Sequence, residues 1–229
     1  MTMPIVLIPG FMLDTTLWDE VVAALPPERL VIRASLQGQA TMDDLVERIG
    51  DAAPDRFVLA GFSMGGYIAR AVAHRFLERV AGVILIATSL RPDEPARQAA
   101  KDAARNALAA GTSHGVSRAA IRRTVHASRA SDSALIERIH EMGVRMGPET
   151  FAAQLALIRP GKDIVPECPT LIVAGRDDRV RSVGEAEELQ LAIPGSQLEI
   201  VDDTGHMIPL EQPEALVQCI EAWLTASGL

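Results

Sequence analysis

The chain has 229 residues, enough for one medium domain with a small insertion. Hydrophobic residues make up 48% and charged residues 23%, which supports a sizeable core and excludes a disordered chain. A net charge of −8 with 3% aromatic residues leaves no nucleic-acid partner to expect, because phosphate contacts need clustered Lys and Arg and base stacking needs aromatic platforms.

The elements alternate along the chain. A continuous apolar run over 5–8 reads as a strand buried on both faces, and Pro9-Gly10 ends it. Its shortness, with no basic segment before it, argues against a signal peptide. A helical pattern over 15–25 stops at Pro26-Pro27. A second strand covers 30–32. Thr41 caps a helix running to about residue 53, with Leu45, Val46 and Ile49 on one face. A strand over 57–60, a helix over 64–76 and a strand over 80–87 follow. Residues 91–165 then hold no strand. Their pattern predicts helices over 95–110, 115–128, 132–146 and about 150–158, and Leu135, Ile139, Met142 and Met146 share one apolar face. Alternation returns with a strand over 170–174, a helix over 183–192, a strand over 197–201 and a helix over 213–224.

Repeated strand–helix–strand units imply parallel strands with crossover helices. The expected fold is α/β: an open, mostly parallel sheet of about six strands with helices on both faces. Residues 1–90 and 166–229 form its core and residues 91–165 a small helical cap. No stretch approaches the roughly 18 apolar residues that span a bilayer, so no membrane partner is expected. Cys168 and Cys219 stand in no CxxC and beside no histidine at metal spacing, so they read as reduced thiols of a cytoplasmic protein with no metal site.

Gly61-Phe62-Ser63-Met64-Gly65 follows a buried strand and opens a helix, the context that a G-x-S-x-G elbow requires. The tight turn strains its central residue and lifts the Ser63 hydroxyl above the sheet. Small residues on either side let neighbouring chain pass, and the helix aims its N-terminal N–H groups at the site. A lone serine needs a base held by a carboxylate, and this chain order predicts Ser, then acid, then His, each past a strand's C-terminal end. Of the five histidines only His206 follows a predicted strand so closely; His74 lies on the helix after the elbow, and His114, His126 and His140 read as solvated residues of the insertion. Asp177 and Asp178 follow the strand over 170–174 and cannot both face His206. Asp202 and Asp203 read as local turn residues. The N–H of Met64 and, from the loop after the first strand, the N–H of Phe11 are the expected oxyanion donors, with Gly10 permitting the close approach. Phe11, Met12, Met64, Met142, Met146 and Met207 are candidate pocket residues, since methionine suits irregular apolar ligands. Met142 and Met146 fit plain helix packing as well.

Together these residues resemble the α/β-hydrolase superfamily over nearly the whole chain. The resemblance maps the acid, three residues after the glycine of G-x-x-D, onto Asp178. It likens the loop from Gly10-Phe11 to Leu17-Trp18 to the family's oxyanion loop, with Pro9 where many members have His. Gln37-Gly38-Gln39 stands in a run that is Asp-x-x-G-x-G in many members, and Ser182 replaces a common proline. It also likens the insertion to the family's cap. It implies a serine hydrolase, carboxylesterase-like or enol-lactonase-like, that needs no cofactor. The expected reaction is hydrolysis of a small to medium apolar ester through an acyl-enzyme. The same three residues would serve an enol-lactone or C–C bond hydrolase, or a cofactor-free haloperoxidase or perhydrolase. A non-catalytic binding protein is the reading that the intact Ser–acid–His set disfavours. The oligomeric state stays open.

Overall fold

The apolar runs of the sequence become β1 (Ile5–Ile8), β2 (Val31–Arg33), β3 (Phe57–Phe62), β4 (Val80–Ile86), β5 (Thr170–Gly175) and β6 (Gln197–Val201). Between and after them stand α1 (Asp19–Ala24), α2 (Met42–Ala52), α3 (Met64–Arg75), α4 (Pro95–Ala109), α5 (Arg118–Ile121), α6 (Ser133–Ala156), α7 (Val183–Ala192), α8 (Ile208–Glu211) and α9 (Pro213–Ala226). The computed structural model describes residues 2–92, 95–111 and 115–229, so His114 lies outside the described residues.

The six strands form one sheet in the order β2-β1-β3-β4-β5-β6, and every pairing is parallel. Alternate side chains leave the sheet on opposite faces. Ile5, Leu7, Val58, Ala60, Ile84 and Ile86 face the α1 and α9 side, where Trp18, Leu216 and Trp223 complete the layer. Val6, Ile8, Leu59, Val83 and Leu85 face α2, α3 and α7. Both faces are covered, which is why the strands read as unbroken apolar runs. Thr41 caps α2 as expected, through a reciprocal box with Asp44.

Strand order reverses between β1 and β3. From β1 the chain moves outward to β2, then returns to the other side of β1 and continues to β6. Ligand crevices form at such a point, outside the C-terminal ends of the strands. Here it brings the loop after β1 beside the turn after β3.

The stretch between β4 and β5 differs in part from the sequence expectation. The helix expected over 115–128 shrinks to one turn, α5, followed by turns and a 3-10 turn over Ala127–Arg129. The reason is tertiary. The Thr124 carbonyl accepts the N–H of His206 at 2.7 Å, and the His126 N–H donates to the Glu211 carboxylate at 2.6 Å. Backbone groups committed to the core cannot also close a helix. The two helices expected over 132–146 and about 150–158 are both present: the span labelled α6 is two helices that part at a kink at Gly147 (φ 78°), just before Pro148. Only glycine takes that φ without strain, and proline cannot donate back into the preceding turn. Among the described residues no helix is long and apolar enough to cross a membrane.

Met142 and Met146 do not line the cavity that opens over Ser63. Met142 is fully buried among Ile139, Ile136 and the sheet residues of one core layer, and Met146 packs with Phe151 and Leu155 in the other. Their helical spacing reflected packing. His126 and His140 are not free surface residues either. His126 sits at the seam with the core, with Nε2 3.5 Å from Asp177, and His140 contacts the Val116 carbonyl at 3.2 Å.

Candidate active site

The turn after β3 is strained where the sequence predicts it. Ser63 has φ 53° and ψ −109°, a conformation that costs a non-glycine residue about 1–3 kcal/mol. Close approach explains the glycines: a side chain on Gly61 would meet the Gly65 carbonyl, and one on Gly65 would meet the Ile8 and Pro9 carbonyls of the neighbouring strand. The elbow is held at both ends of Ser63. Its N–H donates to Ile86 at 2.8 Å, and its carbonyl accepts from the Thr88 hydroxyl at 2.8 Å.

From this elbow the Ser63 Oγ reaches His206 Nε2 at 3.0 Å. His206 Nδ1 meets Asp178 Oδ2 at 2.7 Å. Asp178 Oδ1 accepts the N–H groups of Val180 at 2.7 Å and Arg181 at 2.8 Å, which fixes the carboxylate plane. Of the two adjacent acids the structure therefore brings Asp178 onto the imidazole. Asp177 points out toward His126. Asp202 is exposed and paired with Arg176, as a turn residue would be. The imidazole also packs against the Phe62 ring, 5.1 Å between centroids.

The loop after β1 supplies the opposite wall. Met12 has φ 54°, and its N–H donates to Gln154 Oε1 at 2.8 Å. Among the described residues, the N–H groups of Phe11 and Met64 donate to no protein acceptor. These are the two donors the sequence nominated, and they stand at the tips of adjacent strands.

A cavity of about 650 Å³ opens over Ser63 and His206, within the range of small-molecule sites. Phe11, Met12, Met64 and Met207 line it, as expected, and Ile121, Ile139 and Leu157 add apolar wall from the stretch between β4 and β5. Phe11 lies 5.7 Å from the Phe151 ring of α6, centroid to centroid.

Three supporting residues carried no signal in the sequence. Gln154 of α6 holds the loop of Phe11 and Met12. Thr124 accepts the His206 N–H through its carbonyl, which any residue could do. Glu211 is the third. Its Oε1 accepts from Gly205 at 3.2 Å and Met207 at 3.0 Å, while Oε2 accepts from His126 at 2.6 Å. One buried carboxylate thus joins both neighbours of His206 to the covering loop. Replacing Glu211 with alanine strands three N–H groups and should cost about 3 kcal/mol, lowering Tm by roughly 6–12 °C in a thermal melt. Glu211→Gln, which keeps one acceptor, should lose less.

Two further observations narrow the chemistry. Burial pushes the Cys168 thiol up to about 11 and the Cys219 thiol upward as well, so neither offers the thiolate that a nucleophile needs. Among the described residues no three His, Cys, Asp or Glu side chains gather as metal ligands.

Parallel strand order, a strained serine at the sheet's switch point and a Ser–His–Asp file define a class of hydrolase scaffold. Residues 5–218 match the family described as "Alpha/beta hydrolase family", and the chain belongs to that family. It is 25% identical over 240 residues to a pimeloyl-[acyl-carrier protein] methyl ester esterase of Nitrosomonas europaea, covering 95% of this chain and 94% of the relative. A thermophilic esterase from Thermogutta terrifontis superposes with a TM-score of 0.80 at 30% identity, over 98% of this chain and 90% of that one. An enol-lactonase from Burkholderia xenovorans shares the fold, with a TM-score of 0.83 at 22% identity over 98% and 92% of the two chains. The expected class, a hydrolase acting on ester bonds, agrees with these findings.

Proposed function

We propose that the protein hydrolyses a carboxylic ester of a small to medium, largely apolar substrate, with Ser63 as nucleophile, His206 as general base and Asp178 as its orienting acid. One observation carries the reading: Ser63 Oγ, His206 and Asp178 form a continuous hydrogen-bonded file, 3.0 and 2.7 Å, at the foot of an apolar cavity. The esterase names of the sequence relatives and of the Thermogutta terrifontis structure support ester hydrolysis; the enol-lactonase, at 22% identity, shares the fold alone.

Ser63 Oγ attacks the ester carbonyl as His206 Nε2 takes its proton. The carbonyl π electrons move onto oxygen, and the N–H groups of Phe11 and Met64 hold that oxyanion. As the tetrahedral intermediate collapses, His206 returns the proton to the departing alkoxide, which leaves as the alcohol. Water then enters, gives a proton to His206 and attacks the acyl-enzyme. Collapse of the second intermediate releases the acid and restores the Ser63 hydroxyl. Asp178 orients the imidazole and stabilises the imidazolium. The scheme uses no cofactor. The two free thiols, Cys168 and Cys219, support a reducing compartment such as the cytoplasm.

The test is turnover of a p-nitrophenyl ester series from acetate to decanoate. The account expects kcat/KM to rise with chain length and fall once the chain outgrows the cavity. A flat profile would remove the apolar acyl site. Faster turnover of lactones or ring-fission diketones than of every ester would move the reading to those bonds.

A further inference from the structure

The loop after β1 is a turn over 10–13, closed by the Leu13 N–H on the Gly10 carbonyl at 3.3 Å. Its third residue, Met12, has φ 54°. Turns with a positive φ at that place take glycine there, because a side chain strains it. A methionine favours the form in which the Phe11–Met12 peptide is turned over and Met12 has a negative φ. The observed form therefore needs a hold from outside the turn. Pro9, just before it, has neither an N–H nor a polar side chain to give one.

The hold comes from the second half of α6. The Met12 N–H donates to Gln154 Oε1 at 2.8 Å, and Gln154 Nε2 donates to the Leu36 carbonyl at 3.5 Å. Met12 is 1% exposed and Gln154 4%, so neither can turn to water instead. Turning the peptide over would set the Phe11 carbonyl against Gln154 Oε1, acceptor against acceptor. The Leu36 carbonyl keeps the amide from flipping to meet it. The N–H groups of the turn are sorted as a result. Leu13 donates to Gly10 and Met12 to Gln154, while Phe11 donates to no protein acceptor among the described residues. Residues beside Gln154 brace the same corner. Phe151 packs on the Phe11 ring, and Thr150 Oγ1 accepts the Gly38 N–H at 2.9 Å.

We propose that Gln154 is a positioning residue for ester hydrolysis: its amide fixes the Phe11–Met12 peptide and so aims the Phe11 N–H at the oxyanion. The stretch between β4 and β5 then governs the rate of the chemical step as well as walling the cavity. The inference rests on the hydrolase reading and deepens it.

The test replaces Gln154 with methionine, which keeps the length and removes the acceptor. With a p-nitrophenyl ester, kcat should fall about tenfold to a hundredfold, less than for a donor lost outright, and KM should change by less than about threefold. A trifluoromethyl ketone of matching chain length gives a readout that a purely structural role would not move. Ser63 Oγ bonds to its carbonyl carbon, His206 takes the Ser63 proton, and the new anionic oxygen lies on the Phe11 and Met64 N–H groups. Its Ki should rise by the factor by which kcat falls, while the Ki of the matching methyl ketone stays within about threefold. Gln154→Glu keeps an acceptor for Met12 and should hold kcat within about fivefold of wild type. Thr150→Val removes the bond to Gly38 from the same helix and should lower Tm while leaving kcat and both Ki values within about twofold. A Gln154→Met protein that melts lower yet keeps the wild-type kcat and trifluoromethyl-ketone Ki overturns the proposal and leaves the hydrolase reading standing. So does a loss in Thr150→Val or in Gln154→Glu equal to that in Gln154→Met. Should Gln154→Met not fold, Gln154→Asn, whose amide falls one methylene short of Met12, carries the same expectations. A wild type that neither turns over esters nor binds the trifluoromethyl ketone fails the hydrolase reading itself, and this inference with it.

Discussion

Ser63→Ala should lower kcat for ester hydrolysis by about 10⁴- to 10⁶-fold, with no loss of folded protein. The hydroxyl makes one bond in the structure, to His206 Nε2 at 3.0 Å, so the fold gives up little when it goes. The bonds that hold the elbow are backbone bonds of Ser63, from its N–H to Ile86 and to its carbonyl from Thr88, and alanine keeps both. Alanine also inherits the unfavourable φ of 53°, so no strain is released. The oxyanion donors of Phe11 and Met64 stay in place. What remains is the stabilisation they give to direct attack by water, which is why activity should fall steeply and not to the uncatalysed rate. Steady-state rates with a p-nitrophenyl ester, on protein checked by circular dichroism, measure this. A variant that folds and keeps more than about a tenth of wild-type kcat would remove Ser63 from the chemistry.

Asp178→Asn should cost about 10⁴-fold in kcat, by a different route. The carboxylate has two jobs on two oxygens. Oδ1 accepts the Val180 and Arg181 N–H groups, and Oδ2 accepts the proton on His206 Nδ1. An asparagine has one acceptor oxygen. If it keeps the two backbone bonds, its NH₂ faces Nδ1 and can only donate. That stabilises the tautomer with the proton on Nε2, and Nε2 then has no lone pair for the Ser63 proton. The alternative flip leaves the backbone N–H groups facing an NH₂ and unbonded, which destabilises the loop. Either way the base is lost or displaced. Asp177→Asn is the control. Asp177 faces His126 at the surface, and its loss should change kcat by less than about threefold. Equal losses in the two variants would contradict the assignment of the acid.

The parts of the fold that local pattern controls were legible in the sequence. A strand covered on both faces must be apolar at every position, and β1, β3, β4 and β5 each announce themselves that way. The elbow was legible because two glycines at fixed distances from a serine have a steric cause. His206 was legible by position, just past β6. Between Asp177 and Asp178 the residues alone gave no decision, since either could follow the strand; family resemblance favoured Asp178, and the geometry agrees.

Long-range bonds account for the rest. Residues 122–126 have a helix-compatible sequence, but their backbone is bonded to His206 and Glu211, and no periodicity carries that information. Gln154 and Glu211 are polar residues that no local pattern marks as buried, yet Gln154 is 4% exposed and Glu211 8%. Met142 and Met146 erred the other way. Helical spacing marks a buried face without saying whether a ligand or a neighbouring helix covers it.

The most direct test is to treat the protein with a fluorophosphonate and locate the adduct by peptide mass spectrometry. The account predicts one phosphonyl group per chain, on Ser63, absent from Ser63→Ala and from protein unfolded in denaturant, and slowed by a competing ester. A folded protein that hydrolyses esters while carrying the adduct on another residue, or on none, would contradict it.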